Sequence, residues 1–111
     1  MADFSIKQND TLPALNVQLL GVDSSIFGIP EDASIRFVMR RQNNKQIVIN
    51  TTNVQVIDAA NGVVSYRWLP TDTANEGLFD MEFELTVGGQ RITFPNSTYR
   101  VCEIVADLLT Q

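Results

Sequence analysis

With 111 residues, 44% of them hydrophobic, the chain is long enough for one packed core, too short for a second and too apolar to stay disordered. Eight Lys and Arg against thirteen Asp and Glu leave a net charge of −5, which argues against unspecific binding to nucleic acid or to an anionic membrane, since both need a basic patch. With no histidine and a single cysteine, Cys102, the sequence excludes Ser–His and Cys–His catalysis, the usual zinc sites and an intrachain disulfide.

Short alternating runs broken by turn residues fill the chain, the pattern of a sandwich or barrel. Phe4-Ser5-Ile6-Lys7 comes first, ahead of the turn-rich Gln8-Asn9-Asp10-Thr11-Leu12-Pro13. Residues 14–20 read as a strand with Leu15, Val17 and Leu19 on one side, and residues 21–32, carrying Gly28 and Pro30, read as a long loop. A strand over 33–40 points Ile35, Phe37 and Met39 inward and Ser34, Arg36 and Arg40 outward. After the polar connection 42–45, short strands are expected at 46–50 and 54–58, the second leading into a hairpin turn at Asn61-Gly62.

Its partner, 63–69, places Val64, Tyr66 and Trp68 on a core face and Ser65 and Arg67 on the other, until Pro70 ends the ladder. Residues 71–77 carry cap-type side chains suited to one helical turn. The cleanest alternation lies in 78–87, with Phe79, Met81, Phe83, Leu85 and Val87 inward and Asp80, Glu82, Glu84 and Thr86 outward. Gly88-Gly89 turns the chain into 91–94, Pro95-Asn96 turns it again, and a last strand at 99–105 precedes the tail 106–111. The expected fold is all-β: one domain over 1–111, an antiparallel two-sheet sandwich of about eight or nine strands.

Little in this pattern suggests chemistry. Five acids, Asp72, Glu76, Asp80, Glu82 and Glu84, stand between Trp68 and Arg91 without a base among them, which raises a calcium site or a glycosidase-like carboxylate pair. Three of the five alternate along one strand, so they are expected on a solvated sheet face and not in a pocket. Asp72 reads as a turn cap, Cys102 as a small buried hydrophobe, and Tyr66 and Trp68 as core aromatics before they read as a binding patch. No cofactor, metal or catalytic residue is expected, and no apolar run is long enough for a membrane span. Met1-Ala2-Asp3-Phe4 lacks the basic and apolar regions of a secretory signal, so the chain is expected to fold in a reducing cytoplasm, and the sequons at Asn50 and Asn96 read as chance.

Several motifs recur in a telling order: Asp3-Phe4-Ser5-Ile6-Lys7 through Leu12-Pro13, Ile35-Arg36-Phe37-Val38-Met39-Arg40, and Asn61-Gly62-Val63-Val64-Ser65-Tyr66-Arg67-Trp68. Asp72-Thr73, Gly77-Leu78-Phe79, Glu82-Phe83-Glu84 and Thr93-Phe94-Pro95-Asn96 complete the set. Together they resemble the N-terminal immunoglobulin-like domain of the baseplate upper protein of siphophages and its single-domain phage relatives, over nearly the whole chain. The resemblance implies an immunoglobulin-like sandwich and a structural part of a tailed phage virion, made in the host cytoplasm and bound to other phage structural proteins in many copies or as a homo-oligomer. The baseplate proteins continue into trimerising and receptor-binding segments whereas this sequence ends at Gln111, so capsid, neck and tail-tube positions are also expected. Partner contacts are expected at strand edges and in the loop 21–32, through Phe4, Ile6, Asp23, Ile26 and Phe27. A host-surface or carbohydrate-binding adhesion module is the alternative.

Overall fold

A computed structural model of the chain describes residues 2–21, 23–95 and 100–108. Asn96, expected in a turn, the sequon that begins there, Tyr99 and the tail beyond residue 108 lie outside these residues. Nine strands form two sheets: β1 (Phe4–Lys7), β2 (Leu15–Gln18), β3 (Ser34–Arg41), β4 (Ile47–Thr51), β5 (Gln55–Asp58), β6 (Val63–Tyr66), β7 (Gly77–Val87), β8 (Gln90–Phe94) and β9 (Arg100–Val105). The large sheet runs β1-β9-β7-β3-β4 with β8 also on β7, and the small one runs β2-β6-β5. The protein is therefore an all-β two-sheet sandwich, as its alternation requires.

β7 is the spine. Along one side it pairs with β3 from Phe79 to Thr86. Its other side is shared, with Gly77 to Met81 against β9 and Phe83 to Val87 against β8, which is why this strand is the longest at 11 residues. Its inward Phe79, Met81, Phe83 and Leu85 meet Ile35, Phe37 and Met39 of β3. The small sheet closes over them with Leu15, Val17, Val64, Tyr66 and, just past β6, Trp68. Phe37 sits at the centre of an aromatic cluster, 4.8 Å from Tyr66, 4.9 Å from Phe83 and 6.2 Å from Trp68. Cys102 is buried among these apolar side chains, and burial pushes its thiol up to about 12.

Four local expectations need correction. The sandwich is not wholly antiparallel, because β1 lies parallel to β9, Phe4 opposite Cys102 and Ile6 opposite Ile104. No helical turn forms in 71–77, where turns and bends tie the segment to the end of β1: Thr73 Oγ1 donates to the Asp10 carbonyl at 2.8 Å and Gln8 Nε2 to that of Ala74 at 2.8 Å. Ser65, expected on the face away from the core, is buried because β6 is the middle strand of its sheet, with Asn16 and Gln55 beside it. Asp80 is likewise buried, at 7% exposure, for reasons that belong to its partners.

Candidate interaction surfaces

The acidic face of β7 is not one uniform stripe. Asp80 faces Arg40 across the β3–β7 ladder and takes a hydrogen bond from Arg40 Nε at 3.3 Å, while its other oxygen accepts from Gln42 Nε2 at 2.9 Å. Glu82 is partly buried, and this burial, with Glu84 and Asp80 nearby, raises its carboxyl above the ordinary range against the opposing pull of Arg40. Glu84 reaches only 4.0 Å to an exposed Arg91. Among the described residues no group of three or more His, Cys, Asp or Glu side chains gathers where a metal ion could be held. Asp72 does act as a turn cap, accepting from Leu69 N at 2.7 Å, and it also accepts from the buried Tyr66 hydroxyl at 2.5 Å. That second bond, after burial itself, keeps the phenol protonated well above its usual range.

What the sandwich offers to a partner is at its ends and edges. At one end the loop after β2 folds on itself: Leu20 and Ile26 form an isolated bridge, Gly21 N donates to the Ser25 carbonyl at 2.7 Å, and Phe27 N to that of Leu19 at 3.1 Å. This small hairpin is moored to the turn after β5 by Leu19 N to Gly62 O at 2.7 Å and Ile29 N to Ala59 O at 2.9 Å. Gly62 adopts a φ of 68°, and a Cβ there would collide with the Phe27 carbonyl. The glycine thus serves two needs, the tight turn and the close seat of the loop.

The tip so positioned presents Asp23, Ser24, Ser25 and Ile26 to solvent. Asp23 Oδ1 accepts from Ser25 N at 3.3 Å, and the hydrogen bonds from Ser25, side chain first and then backbone, hold its carboxyl below the usual range. Behind the tip, half-buried Phe27 meets Phe94 edge-on at 5.1 Å. With Leu85, Val87, Gln90, Arg91 and Ile92 it lines an open, mostly apolar groove of about 230 Å³. Asp23, Ile26 and Phe27 therefore belong to one surface, a protruding tip with a groove at its base.

Phe4 and Ile6 are at a different place, on β1, the outermost strand of the large sheet. Ile6 is only 4% exposed, and Phe4, half-buried, stacks on Trp68 at 5.7 Å. The side chain of Ile6 is thus committed to the core, and the backbone edge of β1 is what remains open to a partner. Sequence reasoning missed two other open edges, β4 and β5, although their composition signalled them. Residues 46–57 contain no charged residue, no proline and no glycine.

Compared with known proteins, the chain matches no family model and no curated protein.

Proposed function

We propose that this protein is a structural component of a tailed bacteriophage virion, an immunoglobulin-like sandwich that holds neighbouring virion proteins in register. The observation that carries this reading is the ordered set of motifs from Asp3-Phe4-Ser5-Ile6-Lys7 to Thr93-Phe94-Pro95, which resembles the phage baseplate domain along nearly the whole chain. The fold supports it: motif positions that physics alone would place in a core, such as Phe37, Tyr66, Trp68 and Phe83, are all buried there. Binding through shape at a tip and at strand edges suits a part repeated on a symmetric particle, where each contact can be small because many act together.

In this reading the tip residues Asp23 and Ile26, the groove beside Phe27 and the backbone edge of β1 contact a different phage protein. Mass spectrometry of gradient-purified particles tests it directly. The expected result is the protein in many copies per particle. Abundance in infected cells with absence from particles refutes the structural role and leaves the adhesion module or an assembly helper.

A further inference from the structure

Among the described residues, exposed large apolar side chains gather most densely on two consecutive strands. Ile47 and Val48 stand out from β4, and Val56 and Ile57 from β5, where every residue is exposed. β4 ends the large sheet and β5 ends the small one, and the chain passes between them through Thr52, Asn53 and Val54 alone. Both sheets therefore stop along the same side of the sandwich. Each last strand presents backbone N–H and C=O groups with no further strand in its own sheet to take them.

Free edges of this kind are normally guarded by lysine, proline or an inward charge. Here residues 46–57 carry none of these, in a chain of net charge −5. Lys45 stands in the preceding turn, off the strand. Of the bases on β3, Arg40 stands opposite Ile47 but pairs with Asp80 at 3.3 Å, and Arg36 stands opposite Glu84 on β7 and donates to Asn50 at 2.7 Å. A neutral, β-branched tract of this length is an aggregation hazard when nothing covers it.

We propose that a second copy of this chain docks along the β4–β5 side, edge against edge about a two-fold axis. Charge selects this occupant. Two copies that each carry −5 repel over most of their surfaces but can meet without opposed like charges along β4 and residues 55–57 of β5; the one acid of these two strands, Asp58, stands at the last position of β5, where it accepts from Asn61 Nδ2 at 2.7 Å. A charged partner protein, in contrast, would find only Asp58, at the end of β5, to pair with on these strands. Two-fold symmetry also gives the edge a finite partner: each copy closes the other, and no open strand is left to propagate. The interface does not depend on the virion assignment, since a chain that pairs this way does so in dilute buffer with no phage protein present.

Sedimentation velocity of the full chain over a range of concentrations is the test. The wild type is expected to approach twice the 12.4 kDa monomer mass as concentration rises. Val48→Lys and Val56→Lys each put a charge on one edge at an already exposed side chain, and each is expected to weaken association by about tenfold or more. Leu12→Lys, at an exposed apolar residue between β1 and β2, the strands at the opposite ends of the two sheets from β4 and β5, is expected to leave association unchanged. Blue-shifted Trp68 emission in every variant verifies that the core is intact. A wild type that stays monomeric at its highest soluble concentration overturns the proposal. So does a dimer that survives both edge lysines or is weakened as much by Leu12→Lys.

Discussion

Replacing Asp80 by Asn separates a buried charge from the solvated acids around it. The substitution keeps the volume and leaves an amide oxygen that can still accept from Gln42, now 2.9 Å from the carboxylate, but it removes the negative partner of Arg40 at 3.3 Å. A hydrogen bond to a charged group contributes about 1.5–3 kcal/mol, and breaking a fully buried ion pair costs about 3–5 kcal/mol. Arg40 is only partly buried and still feels Glu82, so the lower range applies and the expected loss is about 2 kcal/mol. For a domain of this length that lowers Tm by roughly 8–10 °C. Urea unfolding followed by Trp68 fluorescence reads the change as a shift in midpoint at constant slope.

Glu84→Gln, whose nearest base is exposed and 4.0 Å away, should change stability by less than about 0.5 kcal/mol. Glu82→Gln should act in the opposite direction. The folded carboxyl has a raised pKa, so its ionisation opposes folding, and stability is lost as pH climbs through and above the ordinary carboxylate range. The Gln variant should therefore be slightly more stable than wild type at pH 7 and indistinguishable from it at pH 3. If Asp80→Asn costs no more than Glu84→Gln, Asp80 belongs to the solvated face after all and the Arg40–Asp80–Gln42 network contributes nothing.

Trp68 lies among Phe4, Phe37 and Tyr66 with its indole N–H buried and, among the described residues, unpartnered. Trp68→Ala should cost about 3–5 kcal/mol, and Trp68→Phe only about 1–2 kcal/mol because no hydrogen bond is lost; a red-shifted wild-type emission would remove this residue from the core. Gly62→Ala should cost about 2 kcal/mol or more and speed amide exchange at Leu19 and Phe27, whose carbonyls the new methyl would meet; an effect below about 0.5 kcal/mol contradicts that seat. The Cys102 thiol, pushed up to about 12 by burial, should stay unlabelled by thiol reagents at pH 8 until denaturant opens the fold, and fast labelling of the native protein would place it at the surface.

Period-two alternation made the core legible because β3 and β7 each send their large apolar side chains to one face, so Ile35, Phe37 and Met39 and Phe79, Met81, Phe83 and Leu85 could be assigned from spacing alone. The opposite face was less legible. A charged residue at an outward position reads as solvated, yet in the centre of a sheet its neighbours on both sides shield it; Asp80 lies between Arg40 and Val101, and Ser65 between Asn16 and Gln55. Pairing between remote segments carries no local signal, so the parallel match of β1 with β9 could not be read at all. The tip was half legible. The loop and the Asn61-Gly62 turn stood out separately, but nothing in the sequence says that Gly62 makes room for the Phe27 carbonyl.

The two ends of the large sheet are finished differently, and the difference bears on which partner each can take. β1 is clasped at both ends by side chains: Asp3 Oδ2 accepts from Val101 N at 2.7 Å, and Gln8 Oε1 accepts from Asp107 N at 3.2 Å. Asp3 and Lys7 bracket its open edge with opposite charges, a common guard against indiscriminate strand addition. A strand added there must set its own charges against that pair, which suits the proposed contact with one particular virion protein. β4, at the far end, carries no charge on the strand. An added strand meets no charge along it, and in the proposed dimer the strand that meets it is β4 or β5 of the second copy, the one present at the highest effective concentration wherever many copies gather.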